Sequence, residues 1–335
     1  KLDWLFDRTL VMLDESKTIF SSSDILYVVQ SSLCSNISAL LLKLKKSSKG
    51  GIDIIGNYAQ RTLELLFKLL SNKHTLIYEE GLMAISALVS ATNRDQMSIQ
   101  VFDNETFNRL LTDFVYSGLS SMNTGSINAA CILIGNLYYF LSGKEPLLSE
   151  LAQPIFQTLS SLLIDNKDMR DSHPFILKAI ADLFNNVPLD ENIYMLELPL
   201  RELLTNIYGI STELDISEKN DIEYGNLFYQ YLSDAFAGYA RSFYNTQDLG
   251  IERNQLFLLD KLAVYIYRLY PKINDNLYRT FIKTCRSFGE HCSRKNSVIL
   301  NRHSVHRILR AGIELCHDPQ LRKEIKSAID FLKSK

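Results

Sequence analysis

Apolar residues recur at intervals of three and four along nearly the whole chain. Ile127, Ala130, Cys131, Ile134, Leu137, Tyr138 and Leu141 line one stripe of a helix at this spacing. Strand-like alternation is sustained nowhere. Helix starts carry capping chemistry: Ser172 precedes His173-Pro174 and Asp318 precedes Pro319, placing an acceptor and a first-turn proline where the opening amides lack partners. Breaks between periodic segments are short and polar. The pattern predicts about 14 helices.

These helices pair. After a solitary helix near Leu5 to Phe20, first helices are expected to begin near Ser23, Thr75, Gly125, Arg170, Lys219 and Ile273. Their partners begin near Asp53, Asp103, Leu147, Leu189, Asp248 and Leu300, and a last helix runs from Asp318 to the end. First-helix starts are then 52, 50, 45, 49 and 54 residues apart, slightly more than the about 40 to 47 of HEAT and armadillo units. One such hairpin cannot cover its own apolar faces, so each must stack on the next. The expectation is all-α: an α-α superhelix, a HEAT-repeat solenoid of about six hairpins plus terminal helices, with residues 1–335 as a single segment.

Pro154 and Pro199 lie 45 residues apart, each inside an expected second helix, where the missing amide and the clash with the preceding turn predict a kink. Small residues at Ala129, Ala130 and Gly135, and at Ala235, Ala237 and Gly238, allow close helix approach, although ordinary helix packing accounts for them equally.

Composition agrees with helix: 14 glycines and 7 prolines are few for the turns of a β or doubly wound fold. The chain starts at Lys1 without a methionine or a basic, apolar leader, which predicts an excised piece of a longer protein. The apolar stretch from Ala129 to Leu141 is shorter than the about 20 residues of a membrane span. Five cysteines, an odd number without a C-x-x-C pair, suit a reducing compartment. The net charge of −2 hides an asymmetry. Residues 1–144 carry 13 acids and 13 bases, residues 145–234 carry 16 and 5, and residues 235–335 carry 9 and 18. An acidic middle and a basic end suggest separate binding surfaces.

Catalytic and metal chemistry finds little support. His303, His306, His291, Cys292, Cys316 and His317 invite a zinc reading, but Cys285 and Cys292 are seven apart on one helix, and structural zinc wants close ligand pairs brought together by turns. Gly50-Gly51-Ile52-Asp53 lacks the further glycines and lysine of a phosphate loop. Glu79 and Glu80 are adjacent rather than facing, as are Asp190 and Glu191, and helix-start acids account for them. No cofactor and no enzyme activity are expected. Arg294, Lys295, Arg302, Arg307 and Arg310 could meet phosphate, but no aromatic residues interleave with them in sequence, so a solvated face is expected and nucleic acid is not.

Four blocks then resemble one family. Tyr78-Glu79-Glu80-Gly81-Leu82-Met83-Ala84-Ile85-Ser86-Ala87-Leu88-Val89 is similar to the importin β (karyopherin β) segment E-D-A-L-M-A-V-S-x-L-V. Ala129 to Leu137 resembles its A-A-x-G-L-V-G-D-L, Pro174 to Asp182 its K-P-x-I-L-S-x-F-G-D, and Gln30 to Cys34 its L-Q-S-L-L-C. Order and spacing match the carboxy-terminal half of that family, clearly from about Asp24 to Asp190 and by register alone beyond. Asn136 departs from the family's aspartate, Asp182 keeps it, and Ser327 and Ala328 stand where a ligand-packing tryptophan is usual.

The resemblance implies a nuclear transport receptor, monomeric, in cytoplasm and nucleus and at the pore. Its second helices would line a concave face, with Glu150, Asp165, Glu197, Glu202 and Asp260 contacting importin α's basic helix or a basic import signal. Pockets between first helices would take FG-repeat nucleoporins, with Tyr138, Tyr139, Phe140 and Phe184 as candidates. Ran would act only through the amino-terminal half of such a receptor, and no membrane is involved. A HEAT scaffold of the phosphatase-scaffold or coat-adaptor kind is the alternative.

Overall fold

The structure is a computed structural model describing residues 1–20, 22–47, 49–92, 102–141, 150–165, 168–186, 203, 207, 214–242, 249–292 and 303–333. No strand occurs among these residues. The chain divides into two compact units, Lys1–Leu148 and Ser149–Lys335.

The first unit contains α1 (Leu2–Ile19), α2 (Ser23–Lys45), α3 (Lys49–Leu70), α4 (Thr75–Ala91), α5 (Asn104–Arg109), a π-helical turn (Leu110–Val115), α6 (Tyr116–Leu119) and α7 (Thr124–Leu141). First helices stack on first helices, α2 on α4 and α4 on α7, while α3 packs beneath α2 and α4 and also meets α1. Their shared core includes Ile37, Leu41, Ile85, Leu88, Ile134 and Leu137, all fully buried, each side chain contributing about 1.5 to 3 kcal/mol. By length and composition α2 could cross a membrane. Its stripe of Leu33, Cys34, Ile37, Leu41 and Leu44 is instead buried, and α2 packs against α1, α3 and α4.

The second unit contains α8 (Ala152–Asp165), a 3-10 turn (Arg170–Ser172), α9 (His173–Asn186), α10 (Lys219–Ser242), α11 (Leu249–Tyr267), α12 (Asp275–Cys292), α13 (His303–Leu315) and α14 (Pro319–Lys333). Here α9, α10, α12 and α14 follow one another as a layer of first helices, and α11 packs on α13 as a layer of second helices.

Local chemistry sets the element ends. Asp103 accepts from the Thr106 amide at 2.8 Å and opens α5, and Asp318 accepts from the Gln320 amide at 2.8 Å and opens α14. The Asp103 carboxyl is held below its ordinary range chiefly by its hydrogen bonds with Thr106. Two expectations need correction. Ser172 lies in the 3-10 turn, and its buried hydroxyl makes no cap. Pro154 occupies the first turn of α8, immediately after a turn at Leu151, where a missing amide costs no helical bond. Pro199 lies outside the described residues.

Polar contacts at repeat spacing tie successive first helices together. Asn226 on α10 donates to the Lys272 carbonyl at 3.0 Å and accepts from the Asn274 amide at 2.8 Å, while Asn274 caps α12 through the Leu277 amide. Thr284 on α12 donates to the Ser233 carbonyl at 2.6 Å. Asp234 accepts from Asn185 on α9 at 3.3 Å and pairs with Lys283 on α12. Apart from the Asn274 cap, each bond joins residues about one repeat apart, so the helical register that buries the apolar stripe also aligns these polar groups.

Candidate protein-binding surfaces

Between the second helices α3 and α5 of the first unit lies a cleft of about 530 Å³, within the range of ligand-sized sites. Its floor is the buried pair Leu63 and Phe67. Gln60, Glu64, Lys68 and Ser71 form the α3 rim, and Glu105, Thr106 and Arg109 the α5 rim. The spacing of one helical turn puts Glu64 and Glu105 at one end and Lys68 and Arg109 at the other.

The basic end is already engaged. Lys68 pairs with Asp14 on α1 at 3.2 Å, and the Arg109 guanidinium lies 5.2 Å from the Phe67 ring centre and 5.9 Å from that of Phe114. At the acidic end Glu64 accepts, among the described residues, from Gln60 in its own helix at 3.0 Å. A cationic side chain of a partner therefore finds two exposed carboxylates above an apolar floor. One wall of the cleft continues directly into the π-helical turn, whose Tyr116 amide bonds back to the Leu111 carbonyl. The Tyr78 hydroxyl donates to the Phe114 carbonyl in that turn at 2.6 Å. Sequence periodicity missed this site because its carboxylates sit on two helices 41 positions apart.

Three of the five acids expected from sequence lie among the described residues. Glu150 precedes α8 and Asp165 ends it, both exposed. Asp260 is half-buried on α11, and no hydrogen bond or ion pair joins these three among the described residues. Glu197 and Glu202 lie outside the described residues. The aromatic set divides. Tyr138 and Phe184 are corrected from surface to core: Tyr138 is fully buried and Phe184 is 3% exposed, packed edge-on against Phe156 and Tyr239, because both fall on the stripe that each first helix turns inward. Tyr139 is half exposed and packs edge-on against the half-buried Phe140, whose ring lies 4.6 Å from the Lys45 ammonium.

The thiols are built as core. Burial first, with Glu80 adding to it, pushes Cys34 up to about 12. Burial and the neighbouring Asp275 push Cys316 up to about 12. Cys131 and Cys285 are raised further by burial. None of these supplies a thiolate at neutral pH.

The basic last third also differs from its sequence. Aromatic rings that do not interleave with the arginines along the chain come from the neighbouring hairpin, where Arg307 on α13 donates to the Tyr267 hydroxyl at 2.8 Å and lies 4.3 Å over its ring.

No family model matches this chain, and no curated protein matches it. Solved structures do. A crystal structure of importin β in an ammonium sulfate condition superposes with a TM-score of 0.72 at 17% identity, covering 99% of this chain and 37% of that one. A second, in a polyethylene glycol condition, gives 0.71 at 16% identity, covering 99% and 39%. The chain thus spans less than half the length of the importin β structures it resembles. With first helices stacked on first helices in each unit and α11 packed on α13 in the second, the likeness establishes an importin-β-like HEAT-repeat solenoid as the fold of this chain.

Proposed function

We propose that this chain is a binding segment of a nuclear transport receptor, equivalent to part of the carboxy-terminal half of importin β. Its second helices would take a basic import signal or the basic helix of importin α, and its first helices would take phenylalanines of FG-repeat nucleoporins. The observation that carries the reading is the fold match over 99% of the chain, together with four sequence blocks in the family's order. The cleft of Glu64 and Glu105 over Leu63 and Phe67 supports the first interaction, since acids above an apolar floor suit the charge and stem of lysine or arginine. Exposed Ile25 and Leu76 on the stacked first helices α2 and α4, and Phe175 and Leu227 on α9 and α10, support the second. The reading is non-catalytic, with action in cytoplasm and nucleus.

Fluorescence anisotropy with the amino-terminal basic peptide of importin α tests it. Saturable binding that weakens as salt rises, and weakens again in Glu64→Lys and Glu105→Lys, is expected. Absence of saturable binding to that peptide and to an FxFG peptide would remove the transport reading. Capture of a phosphatase or coat subunit from extract, without nucleoporins, would point to a HEAT scaffold of the other kind.

A further inference from the structure

Helix α1 packs on α2 and α3, with Phe6, Thr9, Leu10, Leu13 and Ser16 as its buried side. Another side stays open. Leu5, Met12 and Ile19 follow one another at i, i+7 and i+14, which is one line along the helix. They are 44%, 51% and 56% exposed. In the hairpin that follows, α2 covers α3; among the described residues α1 has no first helix of its own beside it, so the line is bare.

The charges of α1 divide in the same way. Asp7 pairs with Arg61 at 3.3 Å and Asp14 with Lys68 at 3.2 Å, both on α3. Arg8 and Glu15 are exposed, and no ion pair joins either of them among the described residues. Each stands three positions after a member of the apolar line, Arg8 after Leu5 and Glu15 after Met12, and so borders it. The Arg8 guanidinium lies 5.8 Å over the exposed Trp4 ring, a contact that holds it in place without cancelling its charge.

This face is its own complement. Two copies of α1 laid antiparallel, with Met12 against the partner's Met12, set Leu5 against the partner's Ile19, because both lie seven positions from the centre. The same two-fold axis puts Arg8, four positions before the centre, beside the partner's Glu15, three positions after it, and the reverse pair forms at the other end. The one-position difference is only about 1.5 Å along the axis, well within the reach of two long side chains. An unrelated helix would have to supply both the apolar line and the flanking charges in this register, whereas a second copy carries both.

We infer that the open face of α1 is an isologous docking surface for a second copy of the chain, a departure from the monomer that the family resemblance implies and independent of the α3–α5 cleft. One helix a side is a small interface, so the dissociation constant should be on the order of 10 μM.

Sedimentation equilibrium of the full chain from about 1 to 200 μM, a range spanning that constant, is the test. The mass should rise from one copy towards two with concentration. Met12→Glu should leave single chains throughout, with the helical circular dichroism unchanged. Arg8→Glu and Glu15→Arg should each weaken association on the order of tenfold by setting like charges together, and the double variant, which restores opposite charges, should recover it. Single chains across the whole range, a dimer indifferent to Met12→Glu, or a double variant no better than either single one would overturn the inference.

Discussion

Asn136 on α7 donates through Nδ2 to the Ser86 hydroxyl on α4 at 2.7 Å, across 50 residues of sequence. Ser86 is buried and Asn136 half-buried, so the bond lies inside the stacking surface of two first helices. Asn136→Ala should cost about 1 kcal/mol in urea unfolding. Asn136→Asp should cost less, because a carboxylate accepts from the same hydroxyl. A double-mutant cycle with Ser86→Ala should give a coupling of about 0.5 to 1.5 kcal/mol; strict additivity would show that the two helices are not joined there.

The Tyr78 hydroxyl bond to the Phe114 carbonyl makes a prediction with a pH signature. Tyr78→Phe leaves that carbonyl without this donor and should destabilise the protein by about 1 to 2 kcal/mol, with faster hydrogen exchange in Leu110–Val115. Burial, with a smaller contribution from Asp113, pushes the Tyr78 phenol up to about 12 against an ordinary value near 10. The fold therefore retains a proton that the unfolded chain gives up, and this part of the stability is lost as pH rises from about 10 towards 12. The phenylalanine variant should lose less stability across that range, as followed by urea midpoints.

Gly238 on α10 sets how closely α10 meets α9. A Cβ there would stand 2.9 Å from the Phe184 carbonyl carbon and 3.0 Å from the Asn185 amide nitrogen. Backbone cannot rotate away, so Gly238→Ala should cost about 1 to 3 kcal/mol. At Gly81 the obstacle is a methyl of Leu70 at 2.8 Å, a side chain that can turn, and Gly81→Ala should cost less. Equal urea midpoints for the two variants would contradict this ordering.

Asp182 sits beside Lys178 at 2.6 Å and near Asp234 on α10. Burial raises its carboxyl above the ordinary range, Lys178 opposes the shift, and Asp234 adds to it. A carboxyl raised in the fold contributes most below its unfolded value, and that contribution is lost as pH climbs from about 4. Asp182→Asn should flatten the decline of stability above this point. An unchanged slope between the two proteins would place the charge elsewhere.

Helix order was legible because the apolar stripes are strong: the starts expected near Ser23, Thr75 and Lys219 are those observed, and Gly125 and Ile273 fall within two residues of α7 and α12. The cap at Asp318 was legible for a local reason, an aspartate directly before a first-turn proline. What the chain did not reveal is which partner each charge meets. Lys283 and Asp234 are 49 positions apart, and Arg307 and Tyr267 are 40; such pairs exist only once hairpins stack. Tyr138 and Phe184 misled because aromatic residues on a first helix serve core and surface alike, and only the phase of the stripe decides between them.

The π-helical turn at Leu110–Val115 holds one residue more than an α-helical path needs. Deleting that residue would swing the side chains before it around the helix axis by about a quarter of a circle relative to those after it. Glu105 and Arg109 would then leave the cleft while Phe114 kept its place in the core. Relatives differing by a single position there would present other chemistry to α3 with their scaffold intact, so specificity at this site can change by length as well as by substitution.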